Sequence, residues 1–231
     1  MKRSTINRTE VLRYLGHSGG ALDAQVEAQL DRAAELVLEL VEPRSVYRVF
    51  SLNRDGDVLR LQGTNVALAG EDILVHLEGA DQCVLMAVTM GAPIETAIRR
   101  AQVADMALAV ILNATADAAV EQICNSLQSE IGDWAKMESL CLGGRFSPGY
   151  GDMPLSQQEE ICNLLHTARR IGVSVTSQYL LTPRKSITAV LGLYSGQIAR
   201  RWTGCTACLA RDNCVLRKAG RTCEKSKSPV G

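Results

Sequence analysis

The chain has 231 residues, of which 46% are apolar and 22% charged, and its 25 basic and 25 acidic residues balance to a formal net charge of zero. That length can bury a sizeable core as one domain with appendages, and the balance excludes both a disordered acidic chain and an overall basic nucleic-acid binder. Met1 to Glu10 show no apolar run after their charges, and the uncharged stretches Cys83 to Ile94 and Ser186 to Ala199 are shorter than the roughly 18 to 20 residues of a membrane span. The expectation is a soluble, cytoplasmic protein with no membrane partner. Eight cysteines in that setting point to reduced thiols or metal ligands, not to a disulfide framework.

In chain order, Asn7 as N-cap, Glu10 at the capping-box position and Gly16 as the stop predict a short helix. From Ala21 to Val41, Leu22, Val26, Leu30, Ala33, Val37 and Leu40 recur at steps of three and four, the pattern of an amphipathic helix ending before Pro43. Ser45 to Leu52 and Val58 to Gln62 flank Asn53-Arg-Asp-Gly-Asp57 and read as a β-hairpin. A short helix over Gly70 to Leu77 precedes Cys83 to Met90, a continuous apolar run that fits a buried central strand. Pro93 opens a helix with a broad apolar face through Leu112, followed by a second helix or a continuation through Leu127. Ser139 to Gly144 reads as a strand, Ser156-Gln-Gln-Glu159 as a capping box for a further helix, and Gln178 to Leu181 and Ser186 to Tyr194 as closing strands. The organisation expected is an N-terminal helical segment over 1–42, a core over 43–198 and a tail over 199–231. After Gln197, eight Lys or Arg residues face two acids and four cysteines appear.

Between the expected strand and capped helix lies Arg145-Phe-Ser-Pro-Gly-Tyr150. Pro148 presets a turn and Gly149 tolerates positive φ, which leaves main-chain groups around Ser147 open to a ligand. Arg145 offers a planar fork for a carboxylate, and Tyr150 a π face for a cation. A zwitterion with a separate cationic centre suits the set. By residue type alone, a Gly-Pro surface turn with a snorkelling Arg is the better fit.

The order Arg145-x-x-Pro148-Gly149-Tyr150 resembles the S-adenosylmethionine-binding loop of the activation domain of cobalamin-dependent methionine synthase. Glu10 to His17, Ala118-Ala-Val-Glu121 and Leu181-Thr-Pro-Arg-Lys-Ser-Ile-Thr188 are similar to flanking segments of the stand-alone members. The resemblance implies an α/β (α+β) fold with a twisted, largely antiparallel sheet and packed helices. It implies that Arg145 holds the methionine carboxylate and that Ser147, Pro148 and Gly149 contact the adenosyl and amino groups. Tyr150 would lie near the sulfonium, and Asp117 or Glu121 would approach the amino or ribose groups. The family's tyrosine in the strand after the Pro-x-x-Ser segment is replaced by an aliphatic residue near Leu191, with Tyr194 slightly later as the candidate aromatic. No acid–base catalyst is implied. The chain has no D-x-H-x-x-G segment, so cobalamin would ride on a partner, a cobalamin-dependent methionine synthase or related corrinoid protein, with an electron donor protein as a further partner. Neither a P-loop nor a G-x-G-x-x-G fingerprint is present.

Cys205-x-x-Cys208, Cys214 and Cys223 form the second constellation, four thiolates that suit zinc or an iron–sulfur cluster, or remain as free thiols. This supports the competing reading of a metal-binding interaction protein acting through its basic tail. Trp202 is the only aromatic there, which disfavours nucleic acid as the tail's partner. Cys83, Cys124, Cys141 and Cys162 lie in apolar patterns and read as core thiols.

Overall fold

A computed structural model describes residues 6–17, 19–56 and 58–196. The expected tail, with Cys205, Cys208, Cys214 and Cys223, lies outside them. Helix α1 (Arg8–Tyr14) begins at Asn7, whose side chain accepts the Glu10 N–H, and α2 (Ala24–Leu40) at Asp23, whose side chain accepts the Gln25 N–H. Strands β1 (Arg44–Asp55) and β2 (Val58–Leu61) form the expected hairpin. Pairing continues to Asp55↔Val58, so the connection is tighter than expected, with Gly56 turning at φ +58°. Strand β3 (Ala67–Leu68) and helix α3 (Glu71–His76) follow, then the buried central strand β4 (Gln82–Thr89).

Helix α4 (Pro93–Ala104) and helix α5 (Met106–Met137) are separated by Asp105 alone, whose N–H closes the first on the Ala101 carbonyl and whose side chain caps the second by accepting the Leu108 N–H. At 32 residues, α5 is long and apolar enough by composition to cross a membrane, yet 67% of its apolar 18-residue stretch is buried inside the protein. It is the central core helix. Strand β5 (Cys141–Phe146), helices α6 (Gln157–Leu165) and α7 (Thr167–Ile171), the small pair β6 (Ser174–Val175) and β7 (Leu181–Thr182), and β8 (Ser186–Tyr194) complete the described chain.

The main sheet has the order β3-β2-β1-β4-β8-β5 and every pairing is antiparallel. Side chains alternate between its faces. Val84, Met86, Val88, Ala189, Leu191 and Leu193 face one core cluster with Leu30, Ala33 and Val37 of α2 and Leu112, Ala116, Ile123 and Leu127 of α5. The small residues Ala116 and Ala119 are fully buried there. Helices α6 and α7 pack on the opposite face. The described residues up to Ser195 form one compact unit, so the N-terminal helices share the core of the sheet.

Three local expectations are corrected. Ser156 makes no side-chain cap, because its own backbone is helical: the Gln157 and Gln158 amides are taken by the Pro154 and Leu155 carbonyls, so the turn begins before Ser156. Gln178 to Leu181 is not a strand of the main sheet: Tyr179 has φ +61°, and Leu181–Thr182 pairs only with β6. Cys141 is exposed, because strand alternation turns it away from the core, whereas Cys83, Cys124 and Cys162 are buried. Burial pushes the Cys83 and Cys124 thiols up to about 12.

Leu191 is fully buried between the sheet and α5. Truncation in Leu191→Ala should lower the unfolding free energy by about 2–5 kcal/mol in chemical denaturation, the range for a large core side chain replaced by a cavity.

Candidate ligand site at the β5 edge

Strand β5 pairs with β8 through Leu142↔Leu193 and then Arg145↔Leu191, so three steps on β5 oppose two on β8. The extra residue is a β-bulge at Gly143-Gly144. Without it, Arg145 would lie opposite Val190, on the α6 face. With it, Arg145 shares the face of Leu191 and meets α5. Arg145 therefore belongs to the strand end, not to the loop that follows.

On α5, Asn113, Asp117, Glu121 and Asn125 recur at steps of four and line one helix face. Arg145 Nη2 donates to Glu121 Oε2 and to Asn125 Oδ1, both at 3.0 Å. Arg145 Nη1 is buried and has no partner among the described residues, a condition shared by Gln122 Oε1 and Thr188 Oγ1. One turn away, the nearly buried Lys185 donates to Asp117 Oδ1 at 2.5 Å and Asn113 Oδ1 at 2.9 Å, while Asn113 Nδ2 donates to Asp117 Oδ2 at 3.1 Å. Tyr14 of α1 reaches this group. Its phenol is held above its usual range, first by burial and then by the Glu121 charge, with the Arg13 guanidinium 4.5 Å from its ring centre.

The following loop is closed on itself. Ser147 Oγ donates to the Thr188 carbonyl at 2.7 Å, Gly149 N–H to Met153 O, Tyr150 N–H to Ser147 O and Met153 N–H to Tyr150 O, each of these last three at 3.0 Å. The amide groups of Gly149 and Tyr150 are thus not free, contrary to the sequence expectation, since the turn consumes them. Among the described residues, the carbonyls of Pro148 and Gly149 accept no hydrogen bond. Tyr150 is 66% exposed, and its ring centre is 6.3 Å from that of Phe146.

Ser147, Pro148, Gly149 and Tyr150 continue from the strand end, with Tyr150 against Phe146 on the other face, while Arg145, Asp117 and Glu121 are gathered on the α5 face of this edge. Tyr194 is not. It lies on the face opposite the Arg145 guanidinium, packed over Gly143 and Gly192, with its hydroxyl donating to the His76 carbonyl at 2.8 Å. Strand alternation forces this, because Leu191 and Leu193 take the α5 face. Asn113, Asn125, Lys185 and Tyr14 were missed by the sequence reading. The four-residue period of polar groups along α5 was the available signal for the first two. Two surface cavities, of about 580 and 410 Å³, lie instead around α6 and α7 near Asn163 and His166, away from Arg145. Among the described residues, no group of three or more His, Cys, Asp or Glu side chains could hold a metal ion.

The family model for the vitamin B12 dependent methionine synthase activation domain matches residues 44–208. The chain belongs to this activation-domain family. A solved structure described as the MetH reactivation domain bound to AdoHcy is similar in fold, with a TM-score of 0.59 at 17% identity over 92% of this chain and 74% of that one. No curated protein matches. The α/β architecture expected from the sequence, an antiparallel sheet with packed helices, is that of the activation domain.

Two outcomes follow from this geometry. Asp117→Ala leaves the Lys185 ammonium with only Asn113. Because Asp117 is itself partly exposed, the loss should be about 1–2 kcal/mol in denaturant unfolding, below that of a fully buried pair, with Asp117→Asn losing less. Burial lowers the His76 pKa from 6.5. The folded state then binds fewer protons than the unfolded chain below pH 6.5, so stability is present above that pH and is lost as pH falls through the folded value. His76→Gln should flatten the part of the melting-temperature profile that begins to fall just below pH 6.5.

Proposed function

We propose that this activation-domain protein binds S-adenosylmethionine at the β5 edge and supports reductive remethylation of cobalamin carried by a partner cobalamin-dependent methionine synthase or a related corrinoid protein. The observation that carries the reading is the buried, unpartnered Nη1 of Arg145, beside an Nη2 already held by Glu121 and Asn125. A buried donor without an acceptor is costly, about 1–3 kcal/mol, and a ligand carboxylate removes that cost. S-adenosylmethionine supplies the methyl group, and the nucleophile is on another chain.

The residues of this chain bind and orient. Arg145 takes the carboxylate through Nη1. Glu121, 40% exposed, turns from Arg145 to the ligand ammonium, so one internal ion pair becomes two intermolecular ones. The free carbonyls of Pro148 and Gly149 accept from the adenosyl amino and hydroxyl donors, and the exposed Tyr150 ring lies against the cationic sulfonium. Asp117 stays with Lys185 and has no direct ligand contact. Holding the methyl in line towards a docked corrinoid is a positional task and requires no acid–base group.

The proposal includes a cytoplasmic setting and a separate electron donor protein. It also includes the Cys205, Cys208, Cys214 and Cys223 quartet as ligands of zinc or an iron–sulfur cluster; a folded, colourless and metal-free sample after anaerobic purification would remove that element. Calorimetric titration with S-adenosylmethionine tests the core of the reading. Arg145→Ala should weaken binding by about 1.5–3 kcal/mol, the range for a hydrogen bond to a charged group. Absence of binding by the intact protein, with the corrinoid partner also present, would reject the reading.

A further inference from the structure

We propose that α3 is a splint that sets the geometry of the Arg145 to Tyr150 segment, with Asp152 and His76 as its positioning residues; this rests on the reading of that segment as the ligand site. Six residues of α3 span about 9 Å at a rise of about 1.5 Å each, and the helix holds the main chain on both sides of the segment. It is itself anchored by Ile73, which is fully buried.

At its N-terminus α3 has no cap of its own. Gly70 occupies the cap position at φ +117° and offers no side chain. Asp152, two residues beyond Tyr150, supplies the cap: Oδ2 accepts the Glu71 N–H at 2.6 Å and Oδ1 accepts the Asp72 N–H at 3.0 Å. The bond is returned, since Asp72 Oδ2 accepts the Asp152 N–H at 3.2 Å. Two carboxylates this close repel, and the converging amides offset the repulsion. Those same amides, from Asp72 first and Glu71 next, hold the Asp152 carboxyl below its ordinary range. Glycines make the closure possible. A Cβ on Gly151, at φ +53°, would lie 2.1 Å from Asp72 Oδ2, and one on Gly70 would lie 2.7 Å from Asp152 Oδ1.

At its C-terminus, His76 Nε2–H donates to the carbonyl of Gly144, the bulge residue immediately before Arg145, at 3.0 Å. Burial lowers the ring's pKa, and the bond to the Gly144 carbonyl opposes that shift in part. The His76 ring rests against Phe146 at 5.2 Å between centres, and Tyr194 fixes the His76 carbonyl from below. Gln157 extends the brace, accepting the Ala69 N–H at 3.0 Å and donating to the Ala67 carbonyl at 2.6 Å.

The bonds within the loop are all local, so they do not orient it relative to Arg145. Its external restraints include the buried Met153 side chain, the Ser147 to Thr188 bond and the two ends of α3. A loop released at Asp152 samples other orientations, and its apparent affinity falls with the fraction in the competent one.

The test is titration of wild type, Asp152→Ala, Asp152→Asn and Gly151→Ala with S-adenosylmethionine, together with amide hydrogen exchange. Asp152→Ala and Gly151→Ala should each weaken binding about ten-fold through the lost competent population, and Asp152→Asn, which keeps only one of the two oxygen acceptors, should fall between wild type and Asp152→Ala. Ligand should slow exchange at the Glu71 and Asp72 amides in wild type. Wild-type binding without that protection, or unchanged affinity in Asp152→Ala and Gly151→Ala, overturns the splint. Failure of the wild type itself to bind removes the ligand reading and the splint with it.

Discussion

Arg145 faces α5 because the pairing of β5 with β8 slips by one residue at Gly143-Gly144. Everything at the candidate site depends on that slip. It places a guanidinium carried by an edge strand against the polar line of α5, while the next residue, Phe146, returns to the opposite face and meets His76 and Tyr150. A regular ladder would bury Arg145 among α6 contacts and turn Phe146 towards Glu121. The two glycines serve different neighbours: a Cβ on Gly143 would crowd the Tyr194 ring at 3.1 Å, and Gly144 offers its carbonyl to His76.

The α5 face then sets the electrostatics. Four polar side chains at steps of four carry two acids, and each acid already has a cation, Lys185 for Asp117 and Arg145 for Glu121. The pairs differ in what they can release. Lys185 is nearly buried and also bound by Asn113, so removing its carboxylate strands a charge. Glu121 is more exposed than Arg145, and the guanidinium keeps Asn125 and an unpartnered Nη1. Exchange of Glu121 for another carboxylate is therefore the less costly event, and it frees an acid for a ligand ammonium. The first pair is structural and the second is the one that responds to a zwitterion.

The sequence was legible where one local rule dominated. The Asn7 and Asp23 caps, the period of α2, the apolar run of β4 and the Pro-Gly turn all depend on neighbours within a few residues. It was illegible where a distant partner decided the outcome. Ser156-Gln-Gln-Glu159 has the letters of a capping box, yet the side-chain bonds at this helix start come from Gln157 to the β3 segment, about ninety residues upstream. Gly70 gives no hint that its helix is capped by Asp152, 80 residues on from Asp72. Tyr194 was assigned to the site by its nearness in sequence to Leu191, and a difference of three positions on a strand of period two puts the two on opposite faces. Arg145, Glu121 and Tyr150 came from the resemblance and the loop chemistry together, whereas Lys185 and Tyr14 became visible only once α5 brought them alongside.

The central claim is that Arg145 reads a ligand carboxylate. A double-mutant cycle tests it most directly, with wild type and Arg145→Ala each titrated with S-adenosylmethionine and its decarboxylated analogue. The predicted result is a preference of at least about ten-fold for the carboxylate-bearing ligand in wild type, equivalent to about 1.4 kcal/mol, and near-equal affinities in Arg145→Ala. Equal affinities in wild type, or an undiminished preference in Arg145→Ala, would contradict it.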